Sequence, residues 1–131
     1  MQVVREGRDL AIVVMGSIGQ EAALAAEELS VHGVEAAVVV VSNFSPDPEA
    51  GLIELLPRFR RVLSVEVQTL SGGLGSLVAS VIATHGLACR LWPMGVRTPP
   101  DGTSGNLPER LRRHGLNCSG IVKAALGAVS E

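Results

Sequence analysis

Apolar residues along this chain fall into short runs separated by polar or glycine-rich breaks, and the runs alternate between two periods. Residues 10–15 (LAIVVM) and 36–41 (AAVVVV) are continuous aliphatic stretches of strand length. With no polar alternation, they read as strands covered on both faces, as in a parallel sheet. Residues 62–67 and 88–92 are further strand-like runs, and Val3-Val4 is a candidate edge strand. Between these runs the spacing becomes helical. In residues 20–31, Ala22, Ala23, Ala26, Leu29 and Val31 form an inward face, with Glu21, Glu27 and Glu28 on the other. Residues 49–56, 76–84, 107–114 and 121–129 complete the helical set, the fourth of them basic.

The punctuation agrees with this division. Ser17 and Ser119 are N-cap candidates, and Pro48 suits the first position of the helix that Pro57 ends. Gly33, Gly86 and Gly115 close helices, each directly after a histidine (His32, His85, His114). That shared position suits helix capping better than catalysis or metal binding. Residues 93–106 hold three Pro and three Gly and read as a loop. Repeated strand–helix alternation with short connections predicts an α/β fold, three layers α/β/α, with a mostly parallel sheet of about five strands. A length of 131 residues fits one domain spanning 1–131.

Composition narrows the function classes. Hydrophobic residues at 47% against 18% charged are enough for a solid core. Trp92, Phe44 and Phe59 are the whole aromatic content, too little for a base-stacking platform. A net charge of −2 argues against nucleic-acid binding by bulk electrostatics. The distribution is uneven. Residues 1–54 hold nine acids against Arg5 and Arg8, a sum of −7. Residues 55–131 hold nine bases against Glu66, Asp101, Glu109 and Glu131, a sum of +5. Such a dipolar surface can orient assembly with partner chains. No apolar run reaches the roughly 18 residues of a membrane span, and the first residues lack a signal-peptide core. Cys89 and Cys118 fall short of a four-ligand zinc site and suit free thiols in a reducing compartment. The expected location is cytoplasmic.

The candidate chemistry clusters at two turns. Gly72-Gly73-Leu74-Gly75, followed by Ser76, joins the third strand to its helix. Gly16-Ser17-Ile18-Gly19 occupies the first strand-to-helix turn. Helix N-termini after such glycines can hold an anion or a subunit contact. Neither turn has the spacing of a dinucleotide fingerprint, a Walker A loop or a nucleophile elbow. Glu66 is the one acid inside a strand run. It is either a general acid–base group or a carboxylate satisfied by nearby backbone amides, such as those of the glycine-rich loop. Ser17, Glu66, Gly72, Gly73, Gly75 and Ser76 are therefore the candidate anion or interface contacts, and no catalytic or metal set can be assembled. Arg58, Arg60, Arg61 and Arg110, Arg112, Arg113 form two basic clusters, by default solvated and alternatively contacts for phosphate or an acidic partner.

Taken in order, these segments resemble the C-terminal domain of the transketolase family, which includes transketolases, deoxyxylulose-phosphate synthases and 2-oxoacid dehydrogenase beta subunits. The resemblance rests on Arg5-Glu6-Gly7-Arg8-Asp9 leading into AIVVMGS, and on Glu21 to Leu29 with its alanine-rich face. It continues through Pro46, Val65-Glu66 and Ser71-Gly72-Gly73-Leu74-Gly75-Ser76. Ser104-Gly105, residues 107–111 and the closing Gly115-Leu116-Asn117-Cys118-Ser119-Gly120-Ile121-Val122 complete it. Val67, Gln68, Asp47-Pro48 and Arg97 depart from the family's usual residues. The resemblance implies a C-terminal domain or separately encoded subunit of a thiamine-diphosphate-dependent enzyme. Its role would be assembly, dimer contact and the edge of the substrate channel. It further implies that thiamine diphosphate and a divalent metal belong to the full enzyme. Partner domains or subunits that bind the pyrophosphate and pyrimidine would hold them, and this chain alone would bind no cofactor. The alternative from the residues themselves is a stand-alone module binding a phosphorylated metabolite or nucleotide at its helix N-termini. Neither reading involves nucleic acid or a membrane, and the first implies a homo- or hetero-oligomer.

Overall fold

A computed structural model describes residues 1–15, 18–41, 49–69, 73–96 and 115–130. Five strands form one sheet: β1 (Gln2–Arg5), β2 (Leu10–Met15), β3 (Ala36–Val41), β4 (Arg61–Thr69) and β5 (Arg90–Val96), in the order β1-β3-β2-β4-β5. β1 is antiparallel to β3, and the other neighbouring pairs are parallel. Helices α1 (Gly19–Val31) and α4 (Cys118–Val129) cover one face, and α2 (Glu49–Leu55) and α3 (Leu74–Thr84) the other. This is the three-layer α/β/α architecture that the alternation predicts.

The apolar runs explain the layering. Residues 10 to 14 of β2 are all fully buried. Leu10, Ile12 and Val14 face α1 and α4, while Ala11 and Val13 face α2 and α3. β3 divides the same way, with Ala36 and Val38 on the first side and Ala37, Val39 and Val41 on the second. A strand with helices on both faces has no solvent side on which to place a polar residue. Each fully buried Leu or Ile here contributes about 1.5–3 kcal/mol relative to an exposed one.

Several boundaries differ from the sequence expectation, each for a physical reason. The inward stripe of α1 is Ala22, Ala25, Ala26 and Leu29, the i, i+3, i+4, i+7 set. Val31, two residues past Leu29, turns outward and is 85% exposed. The helix expected over 49–56 stops at Leu55 and tightens into a 3-10 turn, Leu56–Arg58, that takes in Pro57. α3 begins at Leu74, two residues before the expected start. β5 extends through Pro93 to Val96, into the stretch that the sequence predicts as loop. As an edge strand it pairs only with β4, so the missing proline N–H is tolerated. α4 begins at Cys118 and takes its N-cap from Asn117, whose Oδ1 accepts from the Gly120 N–H at 3.0 Å; Ser119 is not the cap. Val3-Val4 lies in β1, as the edge-strand reading expects. The cap expected at Ser17 and the helix expected over 107–114 lie outside the described residues.

Helix ends at the amino side of the sheet share one device. His32 and His85 are the C-caps of α1 and α3, and Gly33 (φ 82°) and Gly86 (φ 60°) adopt left-handed backbone after them. The Val34 N–H then donates to Leu29 O, and the Leu87 N–H to Ile82 O, satisfying carbonyls that the helix leaves open.

Candidate functional site

The pairing of β2 with β4 ends at Val14–Val65, and the β4–β5 register shifts between Val65 and Thr69. Glu66 stands where this irregularity begins. It shares a face with Val62 and Ser64, toward α3, and is 1% exposed. Its carboxylate receives two backbone hydrogen bonds: Leu74 N–H donates to Oε1 at 2.9 Å and Gly75 N–H to Oε2 at 2.7 Å. These are the first two amides of α3, whose N-cap, Gly73, offers no side chain. A helix start leaves amides unpaired and carries partial positive charge, so a buried carboxylate there is stabilised by both effects.

The glycines make room for this arrangement. A Cβ on Gly73 would land on Glu66 Oε1. A Cβ on Gly75 would lie 3.3 Å from Pro93 Cβ, 3.4 Å from Glu66 Oε2 and 3.4 Å from Ser64 Oγ. The two glycines thus let α3 settle against the end of β4 and the edge strand. Ser64 Oγ is buried with no hydrogen-bond partner among the described residues, a cost of about 1–3 kcal/mol for such a group.

Of the residues singled out by sequence, Glu66, Gly73 and Gly75 converge. Ser76, the third residue of α3, is exposed. Ser17 and Gly72 lie outside the described residues. The α3 terminus, a candidate cradle for an external anion, already has two of its amides bound to a carboxylate of its own chain.

A second constellation, not apparent from local pattern, joins the two ends of α4 to distant elements. Glu21 on α1 accepts from the Cys118 N–H at 2.7 Å, adding a carboxylate to the start of α4. Arg61 Nε donates to Ala128 O at 3.0 Å, placing a cation at its carboxyl end. Both polarities suit the helix dipole. The Cys118 thiol lies 3.8 Å from Glu28 Oε2. Burial pushes this thiol above its ordinary range, and Glu28 and Glu21 push the same way. Burial also raises Cys89, whose thiol lies 3.5 Å from Leu56 O. Neither has the lowered pKa of a reactive cysteine.

A third cluster explains the stretch from Arg5 to Asp9. Asp9 Oδ2 accepts from the Glu35 N–H at 2.8 Å, and the Arg8 and Asp9 amides both donate to Glu35 O. A Cβ on Gly7 would collide with the Ala36 backbone, so glycine is needed for this close approach. The cluster is structural and holds the turn before β2 against the start of β3. Among the described residues no group of three His, Cys, Asp or Glu could hold a metal ion, and no helix is long and apolar enough to cross a membrane.

Comparison with known proteins gives consistent matches. The family model described as the transketolase C-terminal domain matches residues 1–121. A subunit of the apulose-4-phosphate transketolase of Actinobacillus succinogenes is 35% identical over 126 residues, covering 96% of this chain and 40% of that protein. A putative transketolase C-terminal section from Methanocaldococcus jannaschii is 33% identical over 123 residues, covering 93% of this chain and 37% of that one. A solved structure of a split-gene transketolase, an inactive beta4 tetramer, superposes with a TM-score of 0.85 at 28% identity. It covers 98% of this chain and 42% of that chain. The chain therefore spans about two fifths of the length of these relatives.

Proposed function

The chain belongs to the transketolase C-terminal domain family, and on that premise we propose that it is the C-terminal module of a thiamine-diphosphate-dependent transketolase-type enzyme. In this reading residues 1–131 form one domain, and the cofactor and the chemistry reside on partner domains or separately encoded subunits. The observation that carries it is the family match over nearly the whole chain, combined with coverage of only about two fifths of the relatives' length. The names of two relatives support the modular character, one being a transketolase subunit and the other a C-terminal section.

The start of α3 does not fit a diphosphate, because its first two amides are engaged by Glu66. The rival reading, a stand-alone phosphate-binding module, is weakened by the same bonds. The module's contribution is then assembly, with partners that bind the pyrophosphate and pyrimidine of the cofactor, in an oligomer within the cytoplasm. Its contact edge would be the carboxyl side of the sheet, around Ser17, Glu66, Gly72, Gly73, Gly75 and Ser76. Glu66, Gly73 and Gly75 fix the geometry there, and Ser76 is exposed beside them.

Calorimetry with thiamine diphosphate and magnesium is expected to give no binding heat with the pure chain. Adding the chain to a separately expressed chain carrying the two thiamine-binding domains is expected to restore ketol transfer that neither part performs alone. Tight binding of the cofactor by the pure chain would overturn the proposal.

A further inference from the structure

The amino ends of β4 and β5 meet in a rim of one charge. Residues 55–96 hold four arginines, Arg58, Arg60, Arg61 and Arg90, and a single acid, Glu66. Glu66 sits toward the carboxyl end of β4, buried, with both oxygens taken up by the α3 amides. It therefore neutralises none of the rim. The arginines come together because the two strands are parallel and in register. Arg61 opposes Arg90, and the Arg90 N–H donates to Arg60 O at 2.8 Å. Arg58 closes the 3-10 turn that leads into β4.

Two of the four are held in place by their neighbours. Arg61 Nε donates to Ala128 O at 3.0 Å, and the Arg90 guanidinium lies 4.6 Å from the centre of the Trp92 ring. Arg58 and Arg60 are exposed, and no described residue forms an ion pair with either. Between them Phe59 is extended (φ −127°, ψ 142°) and buried. An extended residue that points inward sends the side chains before and after it outward together, roughly 6–7 Å apart. Alternate side chains of an extended partner have the same spacing. Each guanidinium offers a planar fork that takes a carboxylate through two hydrogen bonds. Like charges gathered without counter-charge repel one another, so an anionic partner stabilises such a rim. Four arginines strung across a turn and two strands suit a chain of carboxylates better than one small anion. A nucleic acid fits less well: α1 carries Glu21, Glu27 and Glu28 with no base, and of the described aromatics Phe59 is buried and Trp92 is covered by Arg90.

We propose that this rim is a docking surface for an extended acidic segment of another protein, with Arg58 and Arg60 taking alternate carboxylates and Arg61 and Arg90 adding charge beside them. It lies at the opposite end of the sheet from Glu66 and Gly73, so a segment bound here leaves the carboxyl edge uncovered. The inference stands whether or not partner chains carry thiamine diphosphate.

Fluorescence anisotropy of a labelled ten-residue glutamate peptide, titrated with the purified chain, tests it. Binding is expected at about 50 mM NaCl, with a dissociation constant at least about tenfold weaker at about 500 mM, where the Debye length falls to a few ångströms. A glutamine peptide of the same length is expected not to bind. Arg58→Gln/Arg60→Gln is expected to weaken binding at least about tenfold. Lys123→Gln, which removes an exposed base of α4 away from the rim, is expected to leave it unchanged. Circular dichroism checks that these exposed substitutions leave the fold intact. No binding at low salt, equal weakening by both variants, a ten-residue single-stranded oligonucleotide bound as tightly as the peptide, or displacement of the peptide by about 1 mM inorganic phosphate at constant ionic strength would each overturn the proposal.

Discussion

Replacing Glu66 by alanine tests the local argument most directly. The change removes both acceptors from the Leu74 and Gly75 amides in a site that is 1% exposed. Hydrogen bonds to a charged group contribute about 1.5–3 kcal/mol each, and a buried donor left unpaired costs about 1–3 kcal/mol. Since water entering the space vacated by the side chain would recover part of this, the net expectation is a loss of roughly 3 kcal/mol. A domain of this size has a total stability on the order of 5–15 kcal/mol, so urea unfolding resolves the change easily. Glu66→Gln keeps one acceptor but turns an NH2 toward the other amide, and about half the loss is expected to remain. The decisive experiment is a double-mutant cycle with Gly73→Ala, whose Cβ would occupy the position of Glu66 Oε1. Gly73→Ala is expected to destabilise the wild type strongly and the Glu66→Ala background much less, with a coupling energy of at least about 1 kcal/mol. Additive costs, or a Glu66→Ala loss below about 1 kcal/mol, would refute the claim that this carboxylate closes the helix.

Other sites give smaller, independent readouts. Asn117→Ala removes the side-chain cap of α4 and is expected to cost about 1 kcal/mol in thermal or urea unfolding, whereas Ser119→Ala should cost a few tenths at most. Gly127 sits in α4 with open space where a Cβ would go, so Gly127→Ala is expected to stabilise by about 0.5 kcal/mol. Alkylation of Cys118 at about pH 8 should run slower than that of a free thiol, and Glu28→Gln should speed it. The folded thiol keeps its proton to higher pH than the unfolded one. Its contribution to stability is therefore intact below its ordinary 9.0 and falls as pH rises from there through the folded value, which a pH series of urea midpoints would follow.

How much of this is legible in the sequence depends on the range over which each residue acts. β2 and β3 match their expected limits because a strand covered on both faces has an unbroken apolar run with no competing period. Glu66 stands out because an acid is costly inside such a run, and the glycines that follow mark the turn that accommodates it. Pro93 misleads, since proline signals a break everywhere except on an edge, and edge position is a property of the assembled sheet. Val31 misleads because its apolar side chain suggests an inward position that the helical angle at the last turn does not give it. The ties of Glu21 to Cys118 and Arg61 to Ala128 span 97 and 67 positions. No local window contains both partners of either, so periodicity and capping rules cannot reveal them.

Those long-range ties also separate the two ends of the sheet in character. At the amino end the turns close on themselves through backbone bonds: Arg8 and Asp9 to Glu35, Val34 to Leu29, Leu87 to Ile82, Arg90 to Arg60. Asp9 and Arg61 add a side-chain bond each there, to the Glu35 N–H and to Ala128 O, whereas Arg58 and Arg60 are exposed, so charge at those two positions can vary. Toward the carboxyl end, the start of α3 depends on one buried side chain, and that side chain fits only while position 73 remains glycine. Loss of Glu66 therefore leaves the strand pairing in the sheet intact but releases the first turn of α3 from β4. The consequence distinguishes the two surfaces experimentally. Glu66→Ala should weaken association with a cofactor-bearing partner at the carboxyl edge, read by sedimentation velocity of the mixed chains. Arg58→Glu/Arg60→Glu, exposed and at the other end of the sheet, should leave that association unchanged. If both variants weakened it equally, the two ends could not be acting as separate surfaces.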